Sequence, residues 1–381
     1  MWSVIVALGI AALLSELIGR ILYRRLPSSR RRFLDYILYR RTSVHETSDQ
    51  SESQASPVRY AEHPFLAFTL NPDFLNSHGE KIHNRSGFRD SSSFSDISHN
   101  ALKVYLAGGS TVYDSAIEHN NETFAVLLET HLSKRLKQPV KVINGGVGNY
   151  TSLQSFIRLS SWIDYLRPDL VVTYQGINDI TPFLYTDVES DDIVPDYQHS
   201  FKSLHLSDLE RRIPLWARHN TFGKYLFCRN LQKRDLNIRF MTMKGSDKVH
   251  HIGGNVEFAV SYIRQRINYD MITTHFRNTI AICNARNIKP ILITERLESG
   301  TDEWYRPFLE EINERIRRFH HAGTCSVIDF AQEFPSKTAY FHGSMHFSTE
   351  GNQARAKWIG DALVPHLTTI NRGLGDSDVS V

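Results

Sequence analysis

The chain has 381 residues, 41% of them hydrophobic and 22% charged, the make-up of a globular enzyme and not of a disordered polymer. A formal charge of +3 at pH 7 is too balanced to argue for a nucleic-acid partner. Three widely separated cysteines (Cys228, Cys283, Cys325) argue against a disulfide framework and against a structural zinc site.

Residues 1–25 are expected to form an N-terminal hydrophobic helix that anchors the chain in a membrane. Trp2 to Ser15 is almost unbroken apolar sequence, and Leu17, Ile18, Ile21 and Leu22 extend it past Glu16. A spanning helix needs about 20 such residues. The alternative is an amphipathic helix packed on the domain. A secretory signal peptide fits less well, because this run opens without a charge and closes into arginines. Those cations (Arg20, Arg24, Arg25, Arg30, Arg31, Arg32) favour a cytoplasmic face by the positive-inside rule, or contact with anionic headgroups. Residues 26–59 read as a basic, then polar linker, and 60–100 as an ordered lead-in containing His83-Asn84-Arg85-Ser86-Gly87-Phe88-Arg89.

Residues 101–370 read as one catalytic domain. Leu102 to Ala107 has strand composition and stops at Gly108-Gly109, before helical spacing at Phe124, Leu127, Leu128, Leu132 and Leu136. Val140 to Ile143 is a second strand, ending in Asn144-Gly145-Gly146. A helix marked by Phe156, Leu159, Ile163 and Leu166 follows, then a strand over 169–174 that ends at Gly176. The stretch 184–255 breaks this rhythm and is expected to be an insertion, either a lid or surface decoration. A long helical stretch over about 256–286 then precedes a strand over 290–294, a helix over 304–318 and a strand over 325–330. Ser344-Met345-His346-Phe347-Ser348 opens the last helix, which begins near Ser348 with Ala354, Trp358, Ile359 and Leu363 on one face, and residues 371–381 are a flexible tail. Strands alternating with such helices imply a three-layer α/β/α fold with a mainly parallel sheet, flavodoxin-like in kind. Ligands of such sheets sit at the carboxyl ends of the strands.

Four segments fall at those ends: Gly108-Gly109-Ser110-Thr111, Asn144 to Ser152, Gly176-Ile177-Asn178-Asp179, and Ser344 to Ser348. In these blocks, in this order, the chain resembles the SGNH (GDSL-like) hydrolase superfamily over roughly Leu102 to Leu367. It is similar to the membrane-anchored members whose first block reads Gly-Gly-Ser, and Asn84 to Arg89 is similar to their lead-in. The resemblance implies Ser110 as nucleophile, His346 as general base, and Asn178 with the Ser110 N–H as oxyanion donors. Each role has a chemical reason. A serine hydroxyl needs a base to take its proton, and imidazole titrates near neutral pH. The plainer readings are a helix-capping serine or a phosphate loop for Ser110, a core histidine for His346 and a turn-forming Asn178. A Walker-type loop is excluded by the missing lysine.

The sequence departs from the family at three points. Gly109 stands where the commoner form has Asp. Asn149, with Gly148 before it, occupies the register of the second block's oxyanion glycine. Gly343 stands three residues before His346, where members carry the Asp that orients the imidazole. Asp329 from a neighbouring strand end, or a backbone carbonyl, could replace that acid; the literal reading is a Ser-His dyad. The resemblance implies an esterase acting on an acylated carbohydrate or lipid, with no metal or organic cofactor. An O-acyltransferase using the same acyl-enzyme and an inactive scaffold of the same fold are the alternatives.

Overall fold

The computed structural model describes residues 14–25, 59–63, 65–185, 220–231, 256–300, 304–335 and 337–370. Contacts divide the chain into two compact units, Met1–Lys81 with Tyr197–His251, and Ile82–Asp196 with Ile252–Val381. In the first unit residues 14–24 are helical, Tyr60–His63 pairs antiparallel with Ala67–Leu70, and a second helix runs Thr221–Leu231.

Glu16, the one acid within the apolar run, caps that second helix. Its carboxylate accepts the Thr221 N–H at 2.8 Å and the Thr221 hydroxyl at 2.5 Å, and these bonds lower its pKa. Leu14, Leu17, Ile18 and Ile21 stay exposed. Among the described residues no helix is long and apolar enough to cross a membrane. Residues 1–13 of the expected anchor lie outside the described residues, as do 26–58 of the linker, the tail 371–381, and 186–219 and 232–255 of the insertion.

The second unit carries a parallel five-stranded sheet. Strand β1 (Leu102–Gly108) is followed by the one-turn helix α1 (Ser110–Tyr113) and by α2 (Phe124–Leu136). Then come β2 (Val140–Asn144), α3 (Ser152–Leu166) and β3 (Leu170–Tyr174). After the insertion follow α4 (Val256–Arg266), α5 (Tyr269–Asn284), β4 (Lys289–Ile293), α6 (Arg306–His321) and β5 (Ser326–Ile328). The strand order is β2-β1-β3-β4-β5, all parallel. The order of connection across the sheet therefore reverses between β1 and β3, the point at which sheets of this kind bind ligands, beyond the carboxyl ends of their strands.

Alternation along β1 builds the layers. Val104 and Leu106 pack with Leu128 and Leu132 of α2 on one face, while Tyr105 and Ala107 pack with Leu159 and Ile163 of α3 on the other. The short α7 (Phe330–Glu333) leads to a hairpin of β6 (Phe341–His342) and β7 (His346–Phe347), and α8 (Thr349–Thr368) closes the chain against α2.

The helical stretch expected over 256–286 is two helices, because Asn268 leaves helical geometry and its side chain caps α5 by accepting the Met271 N–H at 2.9 Å. The last helix starts after Ser348, as expected, and the Ser348 hydroxyl accepts the Gly351 N–H at 3.1 Å. His346, in the block that leads into that helix, lies in β7.

Candidate active site

Ser110 follows β1 directly, at the first position of α1. With only four residues α1 has almost no macrodipole, so helix-dipole assistance at Ser110 is slight. The useful group is its backbone N–H, which donates to no described residue. The two glycines before it are required by close approach. A side chain at Gly108 would strike the Tyr174 carbonyl and Val112, and one at Gly109 would strike the Asn178 amide. Gly109 therefore makes room for Asn178.

Asn178 lies in a 3-10 turn, Ile177–Asp179, just past β3. Its Nδ2 donates to the Tyr150 carbonyl at 3.1 Å, which fixes the amide plane and leaves the second N–H for a ligand. Gln175 Nε2 donates to the same carbonyl at 2.5 Å. The Asn144 to Ser152 loop presents that carbonyl. Asn144 Nδ2 donates to the Val112 carbonyl and its Oδ1 accepts the Gly146 N–H, both at 3.0 Å. Gly148 is buried, while Asn149 is half-buried at φ +67°, the left-handed geometry that asparagine tolerates. The Asn149 N–H also has no acceptor among the described residues.

The β6–β7 hairpin brings His346 to this edge, and its Nε2 lies 3.0 Å from Ser110 Oγ. Burial, then the charge of Arg355, then His342 across the hairpin, push the His346 pKa down to about 4. The imidazole is thus neutral at pH 7 and able to accept a proton. Gly343 is exposed near the hairpin tip at φ +76°, with open space where a side chain would begin. No described residue hydrogen-bonds His346 Nδ1.

Asp329, the expected substitute for the missing acid, makes no hydrogen bond to His346. One of its oxygens accepts Arg317 Nε at 2.7 Å; the other accepts Arg317 Nη2 at 3.0 Å and Thr294 Oγ1 at 2.8 Å. The arginine pairing holds its carboxyl below the usual range against the opposing cost of burial.

Several supporting residues escaped the sequence reading, since their partners lie far away along the chain. Arg89 of the lead-in donates to the carbonyls of Tyr113, Asp114 and Ile117 at 2.5 to 2.9 Å, and His83 Nε2 meets Tyr113 Oη at 2.9 Å. Buried Arg355 of α8 pairs with Asp114 and donates to the Thr111 carbonyl at 3.0 Å. The lead-in and α8 thereby grip the turn that carries Ser110. Beneath Asn178, buried Asp179 accepts the Ser152 N–H at 2.9 Å and the Ser152 hydroxyl at 2.6 Å. Ser152 Oγ also contacts His275 Nδ1 at 3.0 Å. Desolvation pushes both Asp179 and the nearby buried Glu295 up to about 7.

The model of the GDSL-like lipase/acylhydrolase family matches residues 106–354. The chain belongs to this family. It is a hydrolase acting on ester bonds. Among solved structures, the lipase/acylhydrolase from Enterococcus faecalis is 16% identical, covering 70% of this chain and 96% of its own, with a TM-score of 0.41. The psychrotrophic esterase EstA from Pseudoalteromonas sp. is 10% identical, covering 70% and 99%, at 0.41. The acetyl xylan esterase AlAXEase is 14% identical, covering 69% and 100%, also at 0.41. No curated protein matches the chain.

Proposed function

We propose that this family member cleaves an O-acyl group from a carbohydrate or lipid through an acyl-Ser110 intermediate. The observation that supports the reading most directly is the 3.0 Å contact between Ser110 Oγ and His346 Nε2. Ser110 Oγ attacks the ester carbonyl carbon as His346 Nε2 takes its proton. Charge builds on the carbonyl oxygen, where the Ser110 N–H, the second Asn178 N–H and the Asn149 N–H are the donors. The intermediate collapses, and His346 gives its proton to the departing alcohol. Water then attacks the acyl-enzyme with His346 again as base, releasing the acid and restoring Ser110. With no carboxylate behind Nδ1, the imidazolium gains no added stabilisation, so turnover is slower than a full triad gives.

A fluorophosphonate probe tests this reading. Wild type is labelled, while Ser110→Ala and His346→Ala are not; equal labelling of all three, or of none, rejects it. Release of 4-nitrophenol from acetyl and longer acyl esters then ranks the acyl group.

The proposal extends to place. Residues 1–25 hold the chain at a membrane, on the cytoplasmic face. Support comes from the apolar run Trp2 to Ser15, the exposed Leu14, Leu17, Ile18 and Ile21, and the arginines that follow. Full-length chain floating with anionic vesicles, and a chain lacking residues 1–25 staying behind, is the expected result.

A further inference from the structure

We infer that Glu295 is a positioning residue that fixes the gap between the nucleophile and the oxyanion donor. It stands just past β4, 2% exposed, and its carboxyl group reaches past the ends of β3, its neighbour, and of β1, the strand beyond. Oε1 accepts the Thr111 hydroxyl at 3.2 Å, and Oε2 accepts the Ile177 N–H at 2.7 Å. Thr111 adjoins Ser110, and Ile177 adjoins Asn178. One side chain therefore ties the residue after the nucleophile to the residue before the oxyanion donor.

The brace is itself held. The buried side chain of Asn313 in α6 accepts the Glu295 N–H at 2.8 Å and donates to the Glu295 carbonyl at 2.8 Å. A Cβ on Gly176 would sit 3.3 Å from Glu295 Oε2 and 2.9 Å from Leu309 Cδ1, so glycine there lets the carboxyl group lie against the turn. Packing alone does not call for an acid here, because burying one is costly and an apolar side chain would fill the space. Two polar groups converging on one side chain do call for a polar partner: the Ile177 N–H needs an acceptor, and the Thr111 hydroxyl bonds either form of the carboxyl group.

The inference rests on Ser110 and Asn178 acting as proposed, and two readouts separate the ideas. Amide hydrogen exchange at Ile177, measured in the full chain, reports the brace without any chemistry. In Glu295→Leu, which fills the space and offers no acceptor, we expect that exchange to accelerate about tenfold or more, as a bonded buried N–H loses protection. Steady-state hydrolysis of 4-nitrophenyl acetate reports the consequence, with kcat falling about ten- to a hundredfold and KM within about threefold. Thr111→Val removes a single hydroxyl and should lower kcat about three- to tenfold by the same reasoning. The double variant should be no slower than Glu295→Leu alone, since both remove one unit. Unchanged exchange at Ile177 in Glu295→Leu, or kcat within twofold of wild type in both single variants, overturns the inference. If Glu295→Leu does not fold, Thr111→Val decides alone: a lower kcat at constant KM supports the brace, and wild-type kcat rejects it. Wild type that escapes fluorophosphonate labelling rejects the nucleophile instead, and Ile177 exchange still decides the brace.

Discussion

The two sides of the proposed catalytic site are built differently. On the nucleophile side every element is tied by buried polar contacts: Arg89 and Arg355 hold the turn after Ser110, Tyr150 orients Asn178, and Asp179 and Glu295 secure the turn beneath it. On the base side His346 rides on a hairpin with two residues per strand, and no described group meets its Nδ1. Phe347, beside it, is buried among Phe330, Phe334 and Phe341. Hydrogen bonds therefore position the proposed oxyanion donors, while apolar packing positions the proposed base. An apolar wall places an imidazole but does nothing for its cation, and the depressed His346 pKa is the electrostatic record of that choice.

The largest effects come from removing either reacting group. Ser110→Ala and His346→Ala should each lower kcat/KM by about a thousandfold or more, and the double variant should fall little further because the pair acts as a unit. Additive losses would break the coupling on which the comparison depends. Asn178→Ala should cost about a hundredfold in kcat with KM nearly unchanged, the signature of a contact made only in the transition state. A loss confined to KM would reassign Asn178 to ground-state binding.

Much of the contrast was already legible, and the illegible part has a physical reason. Strands and Gly-rich strand ends announce themselves locally, so β1 to β5 fall within a residue or two of expectation, and Ser110, Asn178 and His346 come to one edge. The vacancy at Gly343 was visible too, as one missing carboxyl group. Glu295, Asp114 and Arg355 were invisible because their meaning is entirely tertiary: Glu295 meets Thr111 across 184 positions of sequence. Asp329 misled for the opposite reason. A strand-end acid near the histidine block looks available until Arg317, twelve residues earlier, is seen to occupy it.

Proton chemistry sharpens the comparison at an intermediate level. With the His346 pKa near 4, kcat/KM should rise through about pH 4 and stay level toward neutrality. Gly343→Asp adds a negative charge near the hairpin tip and should move that acidic limb upward by favouring the imidazolium; an unmoved limb means the new carboxylate does not influence the base. The nucleophile side predicts a different trend, in stability. Glu295 and Asp179, each raised to about 7, hold protons in the folded state that they release when unfolded above their ordinary values of 4.5 and 3.8. The folded state binds more protons across that window, so stability is full below it and falls as pH rises toward 7. Thermal melts should show Tm declining from pH 5 to pH 8, and Asp179→Asn should flatten the decline. A Tm that rises over this range would reverse the assignment.

The smallest effect on activity is the most pointed test of the base side. Asp329→Asn removes the charge that Arg317 grips and weakens a partly buried ion pair, at a cost of about 1 kcal/mol and a few degrees in Tm. Because neither oxygen of Asp329 touches His346, kcat and the acidic limb should both stay within about twofold and a few tenths of a pH unit of wild type. Destabilisation without a kinetic effect leaves His346 without a carboxylate partner, held in place by its hairpin, the packing around it and the contact with Ser110. A tenfold fall in kcat joined to a shifted limb would instead mean that the side chain leaves Arg317 during turnover and serves the imidazole, and the two sides of the site would then be built alike.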